Sequence, residues 1–175
     1  MSHTHRGGVA IAIVNDLNDP LGEGRIGLRY PWLPGKTTSA WAAMASPLTG
    51  KDRGMFFMPE KDDEVLVAFE QGHFTHPFIL GFLWNGADLP PESNLQHRIV
   101  KTPSGLQLRF EDDNKKIQLL TPGQLSIVLD DKNNQIALTT KGGLSIVMDD
   151  SGSGSITLKG GGRSLTMQSG SVQIL

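Results

Sequence analysis

The sequence predicts an all-β fold in two unlike halves, on three observations. Apolar residues alternate with polar ones in run after run. Glycines, 21 in 175 residues, punctuate those runs. A 19-residue pattern recurs through the second half, as "LQLRFED" at Leu106–Asp112, "LSIVLDD" at Leu125–Asp131 and "LSIVMDD" at Leu144–Asp150. Period-two alternation gives a strand one apolar face, and Gly, Pro, Asn and Asp bound strands because they suit turns.

The first half, residues 8–86, offers five strand-like runs: Gly8–Asn15, Arg25–Tyr30, Ala40–Ser46, Glu64–Glu70 and Pro77–Trp84. The alanine-rich third run reads as a strand and not a helix, because Pro47 and Trp41 flank it. Five short strands without a long amphipathic helix fit a small closed barrel of the OB type. "NDLNDPLGEG" and "PWLPGKTTS" are loops. "NGADLPPESNLQ", Asn85–Gln96, is a polar, proline-containing connector, so the boundaries expected are a short N-terminal segment 1–7, a barrel 8–86, a connector 87–96 and a repeat domain 97–175.

Each repeat unit is strand, turn, strand, tight turn. The first strands carry Leu106, Leu108 and Phe110, then Leu125, Ile127 and Leu129, then Leu144, Ile146 and Met148. The second strands carry Ile117 and Leu119, Ile136 and Leu138, Ile156 and Leu158. A last, shortened unit ends at Val172, Ile174 and Leu175. Repeated units stack on their neighbours. A lone meander of this kind leaves one apolar face and two sheet edges in water, and the sequence has no helix to cover them. Identical chains around a shared axis would cover them, and each inward side chain so buried contributes about 1.5–3 kcal/mol. The residues alone therefore predict an obligate oligomer.

Composition narrows the chemistry. Charge is nearly balanced at −2, from 16 basic and 18 acidic residues, so no basic footprint for nucleic acid is announced. There is no cysteine, which excludes disulfides, thiolate metal sites and cysteine catalysis. No apolar run approaches the roughly 20 residues that span a bilayer, and "MSHTHRGG" lacks the apolar stretch of a signal peptide, so assembly in a bacterial cytoplasm is expected.

Four stretches, in order, resemble the spike proteins of contractile tails, of the phage baseplate protein V and VgrG types. They are "GRIGLRYPW" at Gly24–Trp32, "WAAMASPLTGKDRGMFFMP" at Trp41–Pro59, "DEVLVAFEQGHFTHPFILGFLWNG" at Asp63–Gly86, and the repeat itself. The resemblance implies an OB-fold collar followed by an intertwined, repeat-built trimeric β-helix, a prism-shaped needle whose trimer core holds the inward residues named above. It also implies a baseplate hub at the collar, the bacterial envelope as target, and a place in the tail of a virion or an equivalent injection particle. The compact baseplate protein is the nearer type, because the chain has no room for the large VgrG hub domain or for the lysozyme domain of T-even spikes; no enzyme is expected. A spike of a type VI or extracellular injection apparatus is the alternative, and a trimeric carbohydrate-binding fibre a less favoured one. The family often has glycine where this chain has Asp62. Some needles end in a His-x-His metal site, but no histidine follows His97 here. The resemblance therefore implies a separate PAAR-like tip protein against Val172, Ile174 and Leu175.

Other motifs carry less. His3/His5 and His73/His76 have metal-compatible spacing, but two ligands are too few for a structural zinc site. Asp112/Asp113, Asp130/Asp131 and Asp149/Asp150 read as turn residues that keep a β surface soluble, not as a calcium ladder or an acid/base pair with shifted pKa values. "KGGGRS" at Lys159–Ser164 is read as a bend or bulge. Tyr30, Trp32, Trp41 and Trp84 are expected in the barrel core or at the hub. No catalytic residue, metal, cofactor or nucleic-acid partner is assigned.

Overall fold

The computed structural model describes residues 8–34 and 40–175. The chain divides between Leu89 and Pro90 into two compact units, and among the described residues there is no α-helix.

The first unit is a five-stranded sheet of β1 (Val9–Asp16), β2 (Gly27–Arg29), β3 (Ala43–Met44), β6 (Glu64–Phe69) and β7 (Pro77–Phe82), in the order β2-β1-β6-β7-β3. Alternation sets its two faces: Ala12 and Val14 on β1 and Val65 and Val67 on β6 are fully buried, while Val9 and Ile11 face outward. Ile26, Leu28, Tyr30, Ala42, Phe69 and Ile79 complete one core. The alanine-rich run is extended, as the sequence predicts, but only Ala43–Met44 is a strand, parallel to β7. Ala42 joins the sheet by a single bridge to Ile26, with backbone bonds of 2.8 and 2.9 Å. A two-residue hairpin, β4 (Thr49–Gly50) with β5 (Arg53–Gly54), was not expected from the sequence. The loop after β1 is fastened by Asp19. Its carboxylate accepts from the backbone N–H of Leu21, Glu23 and Arg25, and from the Arg25 guanidinium at 2.7 Å. Those bonds hold the Asp19 pKa far below the usual carboxylate range, the Arg25 contact foremost.

The second unit is one antiparallel meander of nine strands in chain order. These are β8 (His97–Lys101), β9 (Gln107–Glu111), β10 (Lys116–Leu120), β11 (Ser126–Asp130), β12 (Gln135–Thr139), β13 (Ser145–Asp149), β14 (Ser155–Gly160), β15 (Arg163–Gln168) and β16 (Ser171–Ile174). The 19-residue period is two strands and two turns. One turn type closes on threonine: the Oγ1 atoms of Thr102, Thr121 and Thr140 accept from the N–H of Leu106, Leu125 and Leu144 at 3.1, 3.1 and 3.2 Å. Those leucines therefore sit in the turns, one residue ahead of their strands, which corrects the reading that they begin them. The residue before each leucine has positive φ: Gly105, Gln124 and Gly143. "KGGGRS" is a two-residue hairpin and not a bulge, with Gly161 and Gly162 at φ 57° and 76° between Gly160 and its partner Arg163. Two successive positive φ values suit the right-handed twist of paired strands, and glycine adopts them without strain.

Candidate functional site

All the buried hydrophobic residues among those described belong to the first unit. The meander has no core of its own. Cross-strand register stacks its apolar side chains into two columns. One runs Phe110, Ile117, Leu129, Ile136, Met148, Ile156, Met167, Val172. The other runs Val100, Leu108, Leu119, Ile127, Leu138, Ile146, Leu158, Leu165, Ile174. Leu106, Leu125 and Leu144 flank the second column and line, with it, a groove of about 870 Å³. Most of these side chains are exposed, from Phe110 and Ile156 at 36 % to Ile174 at 78 %, with Leu108, Leu158 and Leu165 half-buried.

The sequence-predicted core residues thus share one face of one sheet. Val100, Leu165 and Met167 also belong to it but were not singled out. Arg98 begins the first column, opposite Phe110, where every later position is apolar. Its guanidinium turns to Asp112 at 3.0 Å and to the Leu95 carbonyl at 3.2 Å. Val172, Ile174 and Leu175 are 64, 78 and 77 % exposed.

Glu92 fastens the connector to the outer face of the first two strands. Its carboxylate accepts from His97 Nδ1 at 3.0 Å, from the Ser93 and Asn94 N–H groups, and from Arg109 Nη2. His97 Nε2 faces Asp113 at 3.4 Å and Asn94 Nδ2 at 3.1 Å. The His97 bond, foremost, lowers the Glu92 pKa to about 2, and Glu92 raises that of His97. His97, Glu111 and Asp113 offer ligand atoms within 4.8 Å of one another. Both imidazole nitrogens already have partners, however, and Arg109 stands beside Glu92 and Glu111, so the cluster is an ion-paired clasp. The acidic repeat turns are tied in the same way. Asp130, 8 % exposed, accepts from Asn133 and pairs with Lys116 Nζ at 3.1 Å; Asp149 accepts from Ser151 and Gln135. Both pKa values are lowered, by the Asn133 bond and the Ser151 bond foremost. This corrects the expectation that these turns leave carboxylates unshifted.

On the first unit, Tyr30 is buried in a ring cluster with Phe74 at 4.8 Å and Trp32 at 5.3 Å. Trp32 Nε1 donates to the Ile11 carbonyl at 3.0 Å, and Trp84 is 70 % exposed. His73 and His76 stand 6.3 Å apart, edge to face, and neither joins a cluster of three metal-ligating side chains among the described residues. His3 and His5 lie outside the described residues. No helix among the described residues is long and apolar enough to cross a membrane.

Comparison with known protein families matches residues 10–84 to the type VI secretion system/phage-baseplate injector OB domain. The match takes in all five strands of the sheet except Val9. Residues 10–84 thus resemble an injector OB domain. This match supports, over this half, the resemblance carried by "GRIGLRYPW" and the Asp63–Gly86 run. Injector OB domains are structural parts of baseplates and spikes, and this one is followed by a long antiparallel β sheet, as in an OB-plus-β-helix spike.

Proposed function

We propose that the chain is the central spike of a contractile tail, in which three copies bury the apolar face of the meander against one another to form a needle. The observation that carries this reading is that face: a regular two-column apolar surface without a core behind it, in the same chain as an injector OB domain. A contiguous apolar face of this extent marks an interaction surface, and copies of itself match its period by construction. The injector OB domain is the collar that seats on the baseplate hub. Val9, Ile11, Phe78, Leu80 and the Met55–Phe57 loop give it exposed apolar surface for that contact. A PAAR-like tip protein would cover Val172, Ile174 and Leu175. The work is mechanical, carried through a bacterial envelope by sheath contraction, with no catalytic step. A phage baseplate and a type VI or extracellular injector use the same physics.

The test is a charge on the face. In particles assembled with Ile127→Asp, averaged electron micrographs should show an empty spike position, while the sheath still contracts. An occupied, normal spike would refute the reading.

A further inference from the structure

The meander turns along two margins, and their charges differ. Along one lie the turns that contain Asp112 and Asp113, Asp131, and Asp150, all exposed. Asp112 is taken by Arg98 and Asp113 by His97, which leaves Asp131 and Asp150 without an ion pair within the described chain. Lys115 and Lys132 offset this margin only in part. Along the other margin lie Lys101, Lys141, Lys159 and Arg163, all exposed. No carboxylate occurs in the turn segments there, 101–107, 120–126, 139–145 and 159–164. None of these four cations has an ion pair within the described chain. The unpaired charges also fall at matching heights. The turn of Asp131 joins β11 to β12 and that of Lys141 joins β12 to β13; Asp150 and Lys159 flank β14 in the same way. One strand spacing, about 4.8 Å, separates the members of each pair along the stack, within reach of a lysine side chain.

We propose that these margins are the contact between successive copies of the chain, with Asp131 and Asp150 of one copy facing Lys141 and Lys159 of the next around a closed ring. The inference rests on the self-assembly proposed above and adds its geometry. A cyclic arrangement brings unlike margins together at every corner, whereas a two-fold pair can bring like margins together. A two-fold axis along the strands sets acid against acid and lysine against lysine, and like charges across an interface suppress that partner. The apolar face drives burial without direction; the margins favour arrangements that turn about the stacking direction and disfavour pairings that superpose like margins.

The test uses the full chain in four forms: native, Lys141→Glu with Lys159→Glu, Asp131→Lys with Asp150→Lys, and all four changes together. Each is refolded from denaturant at low and at high salt, and its assembly is followed by light scattering. Each half-reversal should slow assembly about tenfold or more at low salt, in line with electrostatic steering, and the gap should close near 1 M salt, where screening acts within about 3 Å. The combined exchange, which restores unlike margins, should recover the native rate to within a fewfold. Lys141→Gln with Lys159→Gln should fall between native and reversed, which separates lost attraction from a folding defect. Native rates for the half-reversals at low salt, or a combined variant no better than either half, would overturn the proposal. A native two-fold dimer would overturn the ring while self-association stood. A native chain that stays single would instead remove the proposed function beneath it.

Discussion

Replacing Ile127 by alanine separates an open apolar face from a buried one. Ile127 sits on β11 between Leu119 and Leu138 and is 38 % exposed in the single chain. Full burial of an isoleucine is worth about 1.5–3 kcal/mol, so the neighbours in the sheet already secure some three-fifths of it and burial against other copies would supply about 0.6–1.1 kcal/mol more. If the face is open, truncation is a change on a relaxed surface and costs at most about 1 kcal/mol per chain. If the face is packed, truncation also leaves a cavity, and the cost rises to about 2–5 kcal/mol, repeated in every copy of a closed ring. The control is Val128→Ala, the next residue, on the opposite face. Denaturant unfolding at several protein concentrations measures both. A packed face predicts a large, concentration-dependent loss for Ile127→Ala and about 1 kcal/mol or less for Val128→Ala. Equal, concentration-independent losses for the two would refute the reasoning.

Three further outcomes follow from named contacts. Gln124 holds a positive φ of 63° where the equivalent turns have Gly105 and Gly143; Gln124→Gly should relieve strain and, after the added chain entropy of glycine, stabilise by up to about 1 kcal/mol in chemical denaturation. Thr121→Val removes the acceptor for the Leu125 N–H, 3.1 Å away, and should cost about 0.5–1.5 kcal/mol by the same assay. The Glu92–His97 clasp should hold between an acid and an alkaline limit. The His97 pKa is raised from 6.5, so its contribution is complete below about pH 6.5 and is lost as pH rises through the higher folded value; that of Glu92 is present above 4.5 and is lost as pH falls towards 2. Hydrogen exchange of the Ser93 and Asn94 amides across pH, corrected for intrinsic rates, should show both limits, and His97→Gln should remove the alkaline one.

Alternation made the apolar face legible because a period of two has only one way to point a side chain. It does not separate a strand from the turn beside it, so Leu106, Leu125 and Leu144 read as strand residues by alternation alone. The threonines at 102, 121 and 140, which close those turns, carry the same 19-residue period and would have marked them. Val100, Leu165 and Met167 are hard to read because the units at either end depart from the repeated wording: Arg98 stands where later units have isoleucine at one end, and a tight glycine hairpin replaces a threonine turn at the other. The Glu92 clasp was hidden because its members come from a connector, two strands and a turn, which only the register brings together. In the first unit, the β4–β5 hairpin hides in a sequence of mixed polarity, and the third strand shrinks to two residues because Ala42 reaches the sheet through a single bridge to Ile26.

The central claim is that the open face of the meander is covered by copies of the same chain. Its most direct test is the solution mass of the purified full-length protein, by light scattering coupled to size-exclusion chromatography across a wide range of concentration. The account predicts three times the mass of one chain, unchanged on dilution. A folded species with the mass of a single chain would contradict it.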